Sequence, residues 1–167
     1  QALWGVWRTD EWNPMYIAPV FTGLEALAFD TIGVGTWQAR TGPLASGLIA
    51  IAALMWGLWS VGGRKAALIG GVLLATNYTF VMWNRAALME STMTMFIVVG
   101  WAAYARSVTR PRWGLLAGVA VVLAFFTKAA AAFFVGAVLL EIMTAWWTSR
   151  SASAPAELRR DKAAIYA

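Results

Sequence analysis

The chain has 167 residues, of which 60% are hydrophobic and 13% charged, and it carries 11 Trp but no His and no Cys. A soluble domain is about half apolar and a quarter charged, so this composition reads as that of a membrane protein. Without His or Cys there are no disulfides, no thiolate nucleophile, no imidazole base and none of the usual zinc, haem or iron–sulfur ligand sets. Acid–base chemistry would fall to carboxylates, Lys, Tyr or water. The net charge of +5 is assigned to basic loops beside anionic lipid, not to nucleic acid.

Residues 1–39 form an expected extracytoplasmic loop and juxtamembrane helix. The chain opens on Gln1, without the pattern of a signal peptide, and is read as a fragment that has lost an upstream helix. Arg8, Asp10, Glu11 and Trp12 precede Asn13-Pro14, where the chain must turn. From Tyr16 to Ile32 the pattern is helical but interrupted by Glu25 and Asp30, which suits a helix lying along a membrane surface.

Residues 40–149 hold the membrane region. A spanning helix needs about 20 mostly apolar residues. The runs 41–63, 66–84, 90–108, 113–127 and 129–148 give about five expected spans, the last two a hairpin whose first arm is short. The fold class is thus all-α, a polytopic transmembrane bundle. Gly62-Gly63 and Arg110-Pro111-Arg112 supply breaks. Crossing at each run puts Arg64, Lys65, Arg106, Arg110, Arg112, Arg150, Arg159, Arg160 and Lys162 on one side, and Arg8, Arg40, Arg85 and Lys128 on the other. That asymmetry makes the first side cytoplasmic. Trp59, Trp83, Trp113, Trp146 and Trp147 fall near span ends, as interfacial anchors do. Gly114 and Gly118 form a small-xxx-small face of the kind that packs helices closely. Residues 150–167 read as a basic cytoplasmic loop or tail.

Several charges need an explanation. Glu141 is the acid deepest in an apolar run; it either marks function or a buried pair, as an intramembrane charge does, or sits near the cytoplasmic interface. Lys128 sits at the outer tip of the hairpin, where it is either a snorkelling cap or a cation aimed at a phosphate. Arg85 and Glu90 flank another outer turn, and their spacing does not make a helical i,i+4 pair. Arg40 begins the first span from the same side. A lipid-linked phosphate at the outer leaflet needs such cations at the boundary and an apolar groove for its chain. Sugar transfer from that donor also needs a carboxylate to activate the acceptor hydroxyl.

The order of motifs carries a family resemblance. Asn13-Pro14 and Pro19 lead to Gly33-Val34-Gly35-Thr36-Trp37-Gln38-Ala39-Arg40, then a Gly-Gly-Arg-Lys turn at 62–65. Asn84-Arg85-Ala86-Ala87-Leu88-Met89-Glu90 and Leu123-Ala124-Phe125-Phe126-Thr127-Lys128 follow. Over roughly residues 7–145 the chain resembles polyprenyl-phosphate-sugar-dependent glycosyltransferases of the GT-C type. Among these it is similar to the dolichyl-phosphate-mannose–protein mannosyltransferases and the aminoarabinose transferases of lipid A. The resemblance implies an inverting transferase in the bacterial inner membrane, a multi-pass protein moving a sugar to an acceptor protein or glycolipid on the outer face. It implies an Asp base in the first outer loop. Asp10 and Glu11 are the candidate pair in this chain, but they align with the later part of that loop, and the resemblance places the family's own pair upstream of residue 1, with the lost first helix. Glu90 stands where the family more often has Asp and is a third catalytic candidate. Arg40, Arg85 and Lys128 match basic positions and are the candidate donor-phosphate ligands. Ile17-Ala18 replaces an acidic–basic pair of some relatives. No cofactor and no metal ligand is assigned, and a divalent metal is left open. The competing readings are a transporter or flippase fragment, for which Glu141 speaks, and a non-catalytic assembly subunit, for which packing faces would be the main feature.

Overall fold

A computed structural model describes residues 18–150, and among them there are helices and turns but no strand. Asp10 and Glu11 lie outside the described residues, as does the tail from 151. Helix α1 (Pro19–Ile32) begins with proline in its first turn, where a missing N–H costs nothing. It ends at Gly33, whose φ of 97° lies in the left-handed region that glycine adopts without strain.

Helix α2 (Thr36–Thr76) is two arms that meet at Gly63, with φ 74° and ψ −173°. The first arm, residues 36–62, is about 40 Å long at the helical rise of about 1.5 Å per residue. The second, residues 64–76, folds back along it. A methyl group at Gly71 would lie 2.6 Å from Met55 Sδ, and one at Gly70 would strike Leu58. The Gly-Gly break expected from the sequence is therefore a reversal that only glycine adopts easily.

The expected run 66–84 is divided at Asn77. This residue leaves the helical conformation (φ −68°, ψ 114°), and its side chain accepts a hydrogen bond from Phe80 N at 2.9 Å. Asn77 so caps a separate helix α3 (Tyr78–Arg85). A short polar side chain that bonds its own backbone competes with helix continuation and prefers the cap. Helix α4 (Met89–Ser107) and helix α5 (Arg112–Thr127) follow as an antiparallel pair around Arg110-Pro111. Lys128 is extended (φ −158°, ψ 130°), a 3-10 turn occupies Ala129–Ala131, and helix α6 (Ala132–Arg150) closes the described part.

Helix α4 is the centre, packed on α2 and on α5, while α1 lies against α2 and α5. Helix α6 packs chiefly against the 3-10 turn at its own start. The buried seam is built of small residues: Ala50, Ala53 and Gly57 on α2, Gly100, Ala102 and Ala103 on α4, Ala117, Ala120 and Ala124 on α5. Large apolar side chains face outward instead, among them Leu48, Ile69, Leu73, Leu115 and Phe133. A soluble core would reverse this order. Helices in lipid gain from close backbone approach rather than from hiding Leu, because lipid tails are as apolar as Leu itself.

The expected Gly114/Gly118 packing face is not the seam. Gly118 has nothing near its Cα side, Gly114 meets only Ser107 Cβ at 3.9 Å, and both are exposed. The register of α5 instead turns Ala117, Ala120 and Ala124 inward. Among the described residues, one helix, Thr36–Thr76, is long and apolar enough to cross a membrane, and Arg112–Thr127 and Ala129–Thr144 are shorter apolar helices. The described residues are all-helical.

Candidate functional site

The antiparallel α4–α5 pair brings the start of α4 beside the end of α5. Lys128 Nζ there donates to Glu90 Oε1 in an ion pair between residues 38 positions apart. Each partner also complements its helix. Glu90 lies in the first turn of α4, and Lys128 follows the last turn of α5, the places where a helix dipole favours an acid and a base. Side-chain exposures of 36% and 31% leave the pair open to solvent on one side. It is therefore a clasp between two helix ends, and not a fully buried charge pair.

Helix α3 organises the rest of this end. At spacings of three and four residues, Tyr78, Val81, Met82 and Arg85 form one face. Together with Arg40 and Ala86 they line a recess of about 400 Å³. Phe80, Trp83 and Asn84 belong to another face, and with Glu90, Ser91, Met93 and Thr94 they line a second recess of about 290 Å³. Arg40 and Arg85 thus share a recess, and the Glu90–Lys128 clasp borders the adjoining one across α3. Both arginines are exposed, Arg40 lies over the Trp37 ring at 5.8 Å, and neither forms an ion pair among the described residues.

Polar residues from three helices hold this arrangement. Ser46 Oγ and Thr92 Oγ1 are hydrogen-bonded at 3.1 Å in the buried α2–α4 contact. Ser91 Oγ donates to Trp83 O at 3.3 Å, which ties the start of α4 to α3. Asn84 is 6% exposed, donates from Nδ2 to Phe80 O at 2.7 Å, and leaves Oδ1 buried without a partner. It fits because Gly47 has no side chain, since a methyl group there would lie 2.7 Å from Asn84 Cγ. Sequence alone assigned no role to these hydrogen-bonding groups beyond Asn84's place in a motif; two amides, Asn77 and Asn84, in the charge-free run 66–84 were the available signal.

Glu141 is exposed on α6 and lines an apolar groove of about 390 Å³ with Tyr104, Gly114 and residues of α4, α5 and α6. Among the described residues it has no ion-pair partner, and no group of three or more carboxylates could hold a metal ion.

An interior of small residues beneath a coat of Leu, Phe and Trp is the construction of an integral membrane protein. The chain belongs to the dolichyl-phosphate-mannose-protein mannosyltransferase family, whose model matches residues 16–160. That family consists of glycosyltransferases of the GT-C kind, acting as mannosyltransferases in membranes. No curated relative and no solved structure matches the chain.

Proposed function

We propose that this chain builds the donor-phosphate end of a transferase that moves a sugar from a polyprenyl phosphate to an acceptor protein or glycolipid at the outer face of a bacterial inner membrane. The observation that carries this is the shared recess. Arg40 and Arg85 are brought together from distant parts of the chain, with no carboxylate lining their recess. Two guanidinium groups offer fork-shaped donor sets that match phosphate oxygens. Val81 and Met82 line the same recess and suit the first isoprene units of the donor.

Lys128 adds positive charge behind Glu90, which lines the neighbouring recess, but its ammonium is engaged by that carboxylate. Its share of donor binding is accordingly smaller than that of either arginine. Glu90, paired in this way, fits a positioning residue for Lys128 better than the base. The base is assigned by family resemblance to an acidic pair in the first outer loop, for which Asp10 and Glu11 are this chain's own candidates, and inversion at the anomeric carbon comes with that assignment. The five crossings are the two arms of α2, the second continued by α3 across the Asn77 break, followed by α4, α5 and α6. A break of this kind is tolerated in a membrane when side chains and turns re-satisfy the freed backbone, as Asn77 does. The transporter or flippase reading gains nothing from Glu141, which is exposed and unpaired among the described residues.

Binding of a polyprenyl phosphate to the full-length protein tests the assignment. Arg85→Ala removes charge-assisted hydrogen bonds worth roughly 1.5–3 kcal/mol, so Kd is expected to rise about 10- to 100-fold. An unchanged Kd in a well-folded Arg85→Ala protein contradicts it.

A further inference from the structure

The end of the bundle opposite the Glu90–Lys128 clasp carries a second set of cations, organised by aromatic rings. Arg106, in the last turn of α4, donates from Nη2 to Trp56 O at 3.2 Å, with its guanidinium 4.5 Å over the Trp56 ring. Trp56 meets Trp113 edge to face at 4.9 Å and 75°, and Arg112 lies 5.5 Å over the Trp113 ring. The order is Arg106, Trp56, Trp113, Arg112. Stacking on an indole fixes a guanidinium without occupying its hydrogen-bond donors.

Two donors in this ladder are unused, since Arg106 Nε and Trp113 Nε1 are buried and have no hydrogen-bond partner. Beside it, Thr109, Arg110, Pro111 and Arg112 outline a recess of about 470 Å³. No ion pair reaches Arg106, Arg110 or Arg112 among the described residues. Arg112, held on the Trp113 ring, and Arg110 beside it line this recess without a carboxylate, and such a pair of guanidinium groups forms a site for an oxyanion.

We infer that this end binds the phosphate of an anionic phospholipid, with Arg110 and Arg112 at the headgroup. A lipid fits better than a soluble polyanion because the apolar groove between α4, α5 and α6 starts at Tyr104 and Gly114, next in the chain to the ladder. That groove runs on past Gly100 and Val121, where it can take an acyl chain. The carboxylate sharing this groove is Glu141, on α6 and unpaired among the described residues, so it does not neutralise the arginines. The other basic turn at this end, Arg64-Lys65, is exposed and shows no such stacking among the described residues, which makes it the internal control.

Native mass spectrometry of the detergent-purified chain, loaded with equal phosphatidylglycerol and phosphatidylcholine, tests this. The wild type is expected to retain phosphatidylglycerol preferentially, by about tenfold, and Arg110→Gln with Arg112→Gln to abolish the preference. Trp113→Leu removes the ring under Arg112, so it should reduce the preference without abolishing it. Arg64→Gln with Lys65→Gln should leave it intact, and circular dichroism should show every variant folded. Equal retention of the two lipids overturns the inference. So does an equal loss in the Arg64/Lys65 variant, which would indicate diffuse attraction. Full displacement of the lipid by millimolar inorganic phosphate overturns it as well, because the site would then take free phosphate.

Discussion

The two ends of the bundle are both rich in cations, and they manage that charge differently. At the Lys128 end one cation is spent on Glu90, while Arg40 and Arg85 stand unpaired around a recess on one face of α3. At the Arg106 end the guanidinium groups lie on Trp56 and Trp113, and no carboxylate takes part. An aromatic-stacked arginine is held in place with its donors free, whereas an ion-paired lysine is held in place by giving up its charge. The difference shows why counting cations does not find a site. What matters is which of them are positioned yet unspent.

The ends also tolerate change differently, and thermal unfolding of the detergent-purified chain can measure this. The largest loss is expected for Gly57→Ala near the Arg106 end. Its new methyl group would lie 2.5 Å from Trp101 and 3.1 Å from the Ala102 backbone, so overpacking costs about 1–3 kcal/mol. Gly47→Ala, near the Lys128 end, meets only the Asn84 side chain at 2.7 Å, which can move. It should cost less stability than Gly57→Ala while weakening donor binding, because Asn84 immediately precedes Arg85 on α3 and its displacement shifts that helix end. Equal losses in the two variants would remove this contrast.

Arg106→Met is expected next, at roughly 1–2 kcal/mol, from the lost stacking and the lost bond to Trp56 O. Lys128→Met should cost about 1 kcal/mol or less, as for a pair open to solvent. Glu90→Gln should cost about the same and leave the Lys128 charge unspent, so donor binding should hold or tighten. The smallest effect belongs to Glu25 in α1, whose carboxyl is raised above its ordinary range by burial. A raised folded-state value means that stability is lost as pH climbs from the ordinary carboxylate range through that value. Glu25→Gln should therefore raise stability slightly at neutral pH and leave it unchanged in acid, in unfolding scans at both values.

The sequence revealed what single residues decide. Gly63 and Pro111 break the chain by backbone constraint alone, so the reversal and the α4–α5 turn were legible. Lys128 could be placed at a helix end because its charge divides two apolar runs. Its partnership with Glu90 could not be read, since it depends on the register of two packed helices 38 positions apart in sequence. The shared recess of Arg40 and Arg85 likewise depends on the reversal at Gly63 and on the Asn77 cap, which hydropathy averaged away. The Gly114/Gly118 spacing suggested a seam, but the rotation of α5 uses alanines instead. Asp10 and Glu11 lie outside the described residues, and family resemblance alone points to an acidic pair in that loop.

The most direct test is a double-mutant cycle on polyprenyl-phosphate binding by the full-length protein, with Arg40→Gln, Arg85→Gln and the pair. If both guanidinium groups hold one phosphate, the two losses should be coupled by about 1 kcal/mol or more. Losses that add within about 0.5 kcal/mol would show the arginines acting independently, and the shared recess would not be the donor site.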